Sequence, residues 1–105
     1  MQDIYVGDTG NGFPLVLVHG FLGSSKMWEP QIEVLKKNYR VITPDLPGFG
    51  KSNKIKPHDN VIDMAQTILD CLKEKMIEKF YLLGHSMGGM IAQEITTQLG
   101  NRIQN

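Results

Sequence analysis

Three short buried-type strands, each leading straight into a loop that breaks regular structure, constrain this chain more than any other feature. Leu15-Val16-Leu17-Val18 runs into His19-Gly20-Phe21-Leu22-Gly23, Arg40-Val41-Ile42-Thr43 meets Pro44, and Phe80-Tyr81-Leu82-Leu83 meets Gly84. Short continuous stretches rich in apolar and β-branched residues are the pattern of strands buried on both faces of a parallel sheet. Helical patterns lie between and after them. Ser24 or Ser25 can cap a helix whose apolar face is Trp28, Ile32 and Leu35. Asn60 can cap a second, with Asp63 in its first turn and Val61, Ala65, Ile68, Leu72 and Met76 down one face. Met90, Ile91, Ile95 and Leu99 mark a third, which Gly100 is expected to end. Ile4-Tyr5-Val6 adds a short leading strand before a turn at Gly10-Asn11-Gly12, and 45–57 reads as an irregular loop.

Alternation of strands and helices implies an α/β fold, a mostly parallel sheet with helices on both faces. Reactive groups in such sheets gather at the carboxyl ends of the strands. His19-Gly20-Phe21, Asp45 and Ser86 all fall there, so three loops converge on one edge.

Composition narrows the function classes. Eleven basic and eleven acidic residues cancel, which leaves no global field to draw nucleic acid or an anionic membrane. Lys51, Lys54 and Lys56 lack interleaved aromatics and read as a solvated loop. The lone Cys71 excludes an intrachain disulfide and CxxC metal spacing, and its place in a helical apolar pattern suits a small buried hydrophobe. Met1-Gln2-Asp3 does not open a signal peptide, and no apolar run could span a bilayer, so a cytoplasmic location is the expectation. Gly50-Lys51-Ser52 ends like a phosphate-binding loop, but position 45, where that motif needs Gly, is Asp. A dinucleotide fingerprint fails too, since Gly48 and Gly50 are followed by Asn53. No cofactor or metal is expected.

The third strand leads into Gly84-His85-Ser86-Met87-Gly88-Gly89. G-x-S-x-G between a strand and a helix makes a turn so tight that only small residues fit its ends, and it lifts the serine hydroxyl off the sheet. An ordinary turn would more simply use Gly or Asn at that position, so a merely structural Ser86 is the weaker reading.

Together these residues resemble the N-terminal part of an α/β-hydrolase. His19-Gly20-Phe21-Leu22-Gly23-Ser24-Ser25 is similar to the family's oxyanion loop, Asp45-Leu46-Pro47-Gly48-Phe49-Gly50-Lys51-Ser52 to its D-x-x-G-x-G-x-S segment, and Gly84 to Gly89 to its nucleophile elbow. The resemblance implies that Ser86 is a nucleophile attacking an ester or related carbonyl. It implies that the backbone N–H groups of Phe21 and Met87 form the oxyanion hole, and that Gly20 and Gly88 allow close backbone approach. It gives His85 a packing role beside the turn and His19 a local hydrogen bond that shapes the loop. Asp45 belongs to a structural turn, and His58, in a polar loop, is expected to be exposed. Serine at position 86 argues against the dehalogenase and epoxide hydrolase chemistries of this fold, which use an aspartate nucleophile.

In that family the triad acid and histidine follow the serine. Here no Asp or His follows Ser86, and Glu94 lies mid-helix. Ile103 reads as the start of another strand, and Phe80 to Leu83, patterned as a central strand, would form an edge. The expectation is therefore one partial domain over 1–105, the N-terminal half of an α/β-hydrolase fold and not a stable, active monomer. A truncated or split gene is the first explanation. An incomplete chain, or a half that pairs with a complementary C-terminal half carrying the Asp and His, are the others. The function expected is a serine carboxylic-ester or acyl hydrolase acting on a small ester-like substrate. The rivals are a catalytically inert remnant or binding module and one half of a split two-chain hydrolase.

Overall fold

A computed structural model of the chain describes residues 4–20 and 23–102. Its sheet contains β1 (Val6–Thr9), β2 (Phe13–Val18), β3 (Tyr39–Pro44) and β4 (Tyr81–Gly84), in the spatial order β1-β3-β2-β4. β2 pairs in parallel with β3, Leu15 opposite Val41, and with β4, Leu17 opposite Leu83. β1 runs antiparallel to β3, Val6 opposite Pro44. The mostly parallel α/β architecture read from the sequence is the one observed.

Strand alternation sends successive side chains to opposite faces. Val16, Val18 and Ile42 face one way and pack with Met64, Ala65, Ile68, Leu69 and Leu72 of α2 (Val61–Glu74) and Ile91 and Ile95 of α3 (Met87–Arg102). Leu17 and Val41 face the other way and pack with Trp28, Met27, Ile32 and Leu35. Those residues come from a 3-10 turn, Ser25–Trp28, and from α1 (Glu29–Leu35). Both faces are thus covered, as buried parallel strands require. Ser24 and Asn60 cap as expected. Ser24 Oγ accepts from Lys26 N–H at 3.2 Å and Asn60 Oδ1 from Asp63 N–H at 2.8 Å.

Four expectations need correction. The leading strand begins at Val6, because the Tyr5 N–H is taken by the Ser52 hydroxyl. Pro44 ends β3 from inside the strand. Gly100 does not stop α3, which continues to Arg102; a glycine inside a helix costs only about 1 kcal/mol. Met76 leaves the buried face of α2 and is 87% exposed. The helix closes instead through paired bonds, Met76 N–H to Lys73 O at 3.0 Å and Ile77 N–H to Leu72 O at 2.9 Å. This is a Schellman closure, with Ile77 packed in the core that holds Leu72. Met76 occupies its left-handed position at φ 61, where glycine is normal. Ile103, the expected start of a further strand, lies outside the described residues. Cys71 is half-buried on α2.

One ion cluster ties three elements together. Arg40 of β3 grips Asp8 of β1 with two bonds, Nε to Oδ1 at 2.9 Å and Nη2 to Oδ2 at 2.7 Å, and Lys75 after α2 adds Nζ to Oδ2 at 3.0 Å. The Arg40 bonds hold the Asp8 carboxyl down at about 2; partial burial opposes them, and Lys75 reinforces them. Because the folded value lies below the unfolded one near 3.8, this stabilisation is complete above pH 4 and is lost as pH falls toward 2. The cluster is partly solvated, so it contributes no more than about 1 kcal/mol. Asp8→Asn is expected to lower the urea midpoint slightly at pH 7 and to flatten the pH dependence of stability between pH 4 and 2. Met76→Gly is expected to raise stability by about 1 kcal/mol in the same denaturation assay, by removing the left-handed strain of a side chain that buries little.

Candidate active site

β2, β3 and β4 deliver their carboxyl ends to one edge, and the tightest turn there follows β4. His85 N–H bonds to Val18 O at 3.1 Å, extending the β2–β4 pairing by one residue. The chain then reverses into α3 through Gly88 N–H to His85 O at 2.9 Å and Gly89 N–H to Ser86 O at 2.8 Å. Ser86 sits at the apex with φ 58, a left-handed conformation that a serine adopts only under strain, and its side chain is exposed. Met87 is the first residue of α3, so its N–H is among those that a helix leaves without an internal acceptor.

The glycines explain how so tight a turn fits. A Cβ at Gly84 would run into Gly88 O, and one at Gly88 would run into Val18 O, with His19 O 2.7 Å away. Gly89 differs: its Cβ would meet Gly84 O at an ordinary 3.8 Å. Gly20, at the end of β2, lies against the same turn. A Cβ there would stand 2.8 Å from His85 O and 3.0 Å from Ser86 Cβ. Phe21, expected to supply the second oxyanion N–H, lies outside the described residues, as does Leu22.

His19 is fully buried, and both ring nitrogens are engaged. Leu46 N–H donates to Nε2 at 3.1 Å, which fixes the tautomer and leaves Nδ1–H to donate to Gly20 O at 2.9 Å. The ring therefore links the loop after β2 to the loop after β3 and has no nitrogen left to take a proton. His85 is exposed beside Gly20, its Nδ1 3.5 Å from where a Gly20 Cβ would be. His58 is half-buried, contrary to expectation, because its Nε2 pairs with Thr67 Oγ1 of α2 at 2.6 Å.

The segment Asp45–Ser52 forms a hydrogen-bonded knot behind this edge. The Asp45 carboxylate, 1% exposed, accepts Ser25 N–H through Oδ1 at 2.5 Å and Lys51 N–H through Oδ2 at 2.9 Å. Asp45 N–H bonds to Tyr5 O at 2.9 Å. The return bond of that rung is relayed through a hydroxyl, Tyr5 N–H to Ser52 Oγ at 2.8 Å and Ser52 Oγ–H to Asp45 O at 2.7 Å. Sequence reasoning assigned Asp45 to its own turn and missed its reach to Ser25. Its distance along the chain from Ser25 left no local signal for the contact. Among the described residues, no three His, Cys, Asp or Glu side chains cluster to hold a metal ion, and no helix is long and apolar enough to cross a membrane.

Two neighbouring glycines make a sharp test of the turn. Gly88→Ala is expected to destabilise the fold by at least 1–3 kcal/mol, roughly the cost of forcing atoms into a packed site. Gly89→Ala is expected to be neutral or to stabilise by up to about 1 kcal/mol through helix propensity. Parallel thermal and urea unfolding of the two variants checks the contrast.

Comparison with known proteins agrees with this geometry. Residues 14–105 match the family described as alpha/beta hydrolase fold. The chain is 37% identical over 103 residues to a pimeloyl-[acyl-carrier protein] methyl ester esterase of Legionella pneumophila (strain Corby), covering 98% of this chain and 40% of that one. It is 35% identical over 89 residues to the (E)-2-((N-methylformamido)methylene)succinate hydrolase of Acinetobacter baylyi, covering 85% and 34%. A thermophilic esterase from Thermogutta terrifontis has the same fold over 94% of this chain and 37% of its own, with a TM-score of 0.86 and 37% identity. The chain spans about a third to two fifths of the length of these relatives. It belongs to the alpha/beta hydrolase family.

Proposed function

We propose that this chain carries the nucleophile half of a serine hydrolase site for carboxylic esters or related acyl compounds. The observation that carries the reading is Ser86. It is a non-glycine residue at φ 58, exposed, at the carboxyl end of a parallel strand and at the start of a helix. A side chain held in strained backbone by its surroundings is what a reactive hydroxyl presented to a substrate requires. Ester hydrolysis by two relatives, a methyl ester esterase and a thermophilic esterase, supports the substrate class.

In this reading Ser86 Oγ bonds to the substrate carbonyl carbon, and the developing oxyanion is met by the N–H groups of Met87 and Phe21. Each such donor is worth roughly 2.7–4 kcal/mol in the transition state. The C–O bond to the alcohol then breaks, leaving an acyl-serine that water hydrolyses. The serine proton goes to a general base and on to the leaving alcohol. None of the three histidines fills that role here: His19 has both nitrogens bonded, His58 is turned to Thr67, and His85 adjoins Ser86 at a sharp turn. The base and its orienting carboxylate would therefore come from a further polypeptide segment, which would complete the site beside β4. The engaged histidines equally favour a second reading, a chain that keeps the scaffold and turns nothing over.

Labelling with a fluorophosphonate probe, together with hydrolysis of a p-nitrophenyl ester, decides between them. Wild-type labelling that disappears in Ser86→Ala is the expected result. It should be slow in the chain alone and accelerate by about two orders of magnitude or more when a polypeptide supplying the general base is added, the usual scale of proton-transfer catalysis. Equal labelling of wild type and Ser86→Ala sinks the nucleophile assignment. Absence of labelling in every combination favours the inert scaffold.

A further inference from the structure

We infer that Asp45 is a positioning residue for the loop that faces the Ser86 elbow, acting through the backbone of Ser25. The inference rests on the serine-nucleophile reading for its catalytic consequence and on geometry for its mechanism. A buried carboxylate with a purely local role would bond within its own turn. Asp45 does so with one oxygen, through Lys51 N–H at 2.9 Å. The other oxygen reaches twenty residues back along the chain to Ser25 N–H at 2.5 Å. Ser25 opens the 3-10 turn that ends the loop after β2, and that loop starts at Gly20, packed against His85 and Ser86. Within it, Gly23 N–H bonds to Gly20 O at 3.0 Å, the same carbonyl that His19 holds.

The loop is therefore fixed at both ends, by His19 at Gly20 and by Asp45 at Ser25. A charge-assisted bond to a backbone amide is about twice as strong as a neutral one and is directional. The fit is close on every side: a Cβ at Gly50 would stand 2.5 Å from Asp45 Oδ2 and 2.8 Å from Ser24 Cβ. The β2 and β3 loops thus touch at this point, and a movement of the carboxylate is transmitted to the loop beside the nucleophile. Asp45 itself does not contact the reacting atoms.

The contact can be cut from either side. Asp45→Asn keeps the shape but offers one acceptor oxygen where two amides donate. Ser25→Pro removes the donor alone. Proline suits this position, since Ser25 is the first residue of its helical turn and Ser24 before it is extended at φ −160, ψ 178. Both variants are expected to stay folded and to slow fluorophosphonate labelling of Ser86 tenfold or more, in the maximal rate and not in the probe concentration for half-saturation. The double variant should be no slower than the worse single one, because both cut one contact. As a control for general weakening, Asp8→Asn is expected to leave labelling unchanged.

Hydrogen exchange supplies a readout independent of the chemistry. Protection of the Gly23 amide is expected to fall at least tenfold in both variants, while amides of β2 and β3 stay protected. Loss of Gly23 protection in both variants, beside a wild type that never labels, would overturn the nucleophile reading and leave the positioning of the loop by Asp45 standing. Folded variants with wild-type Gly23 protection and, where the wild type labels, wild-type rates would overturn the role of Asp45.

Discussion

The carbonyl of Val18 is where this structure is decided. It ends the central strand β2, accepts His85 N–H at 3.1 Å, and has the backbone of Gly88 directly upon it. That single oxygen sets how closely α3 can approach the sheet after β4. The approach in turn forces the reversal at Ser86 into a left-handed conformation and requires glycine at 84 and 88. What matters is that two chain segments lie closer than any Cβ allows.

Behind the strained turn, three buried polar side chains tie neighbouring segments together. His19 uses both nitrogens, Asp45 both carboxylate oxygens, and Ser52 both donates its proton and accepts a bond. Buried polar groups are costly unless paired, and fully paired ones fix a single geometry. The two devices complement each other. Strain at Ser86 persists only where the surroundings hold it, and these bonds fix the segments packed around it. The same completeness removes His19 from acid–base chemistry, since a general base needs a free lone pair aimed at the proton it takes.

Much of the fold was legible in the sequence because its determinants are local. Short apolar and β-branched stretches mark β2, β3 and β4, and an asparagine three residues ahead of an acidic first-turn partner marks the start of α2. The elbow was legible for the same reason: a strand, two glycines around a serine and a helix are contiguous. The misreadings share a different cause. Gly100 looked like a stop, but α3 carries a glycine at modest cost when the turns on either side remain helical. Met76 looked like a core residue on helical spacing, yet the helix had already closed through Lys73 and Leu72 and handed the buried position to Ile77. His58 finds Thr67 nine residues on, and Asp45 finds Ser25 twenty residues back; no periodicity announces such pairs.

The edge strand shows what the described residues leave unbalanced. β4 pairs on one side only, with Tyr81 58% and Leu83 52% exposed, although its sequence is that of a strand buried on both sides. Tyr81 partly compensates by packing its ring against Phe13, 4.8 Å between centroids, and against Tyr39 at 6.2 Å. A groove of about 440 Å³ beside them is lined by Phe80, Leu82 and Leu99. Apolar side chains beside unpaired backbone donors and acceptors form a template for another strand. Among the described residues the sheet therefore ends in two edge strands, and the one with exposed apolar side chains is the one beside the candidate site. β4 pairs with β2 alone, as β1 at the opposite edge pairs with β3 alone, and of the two it is β4 that leads into the turn at Ser86.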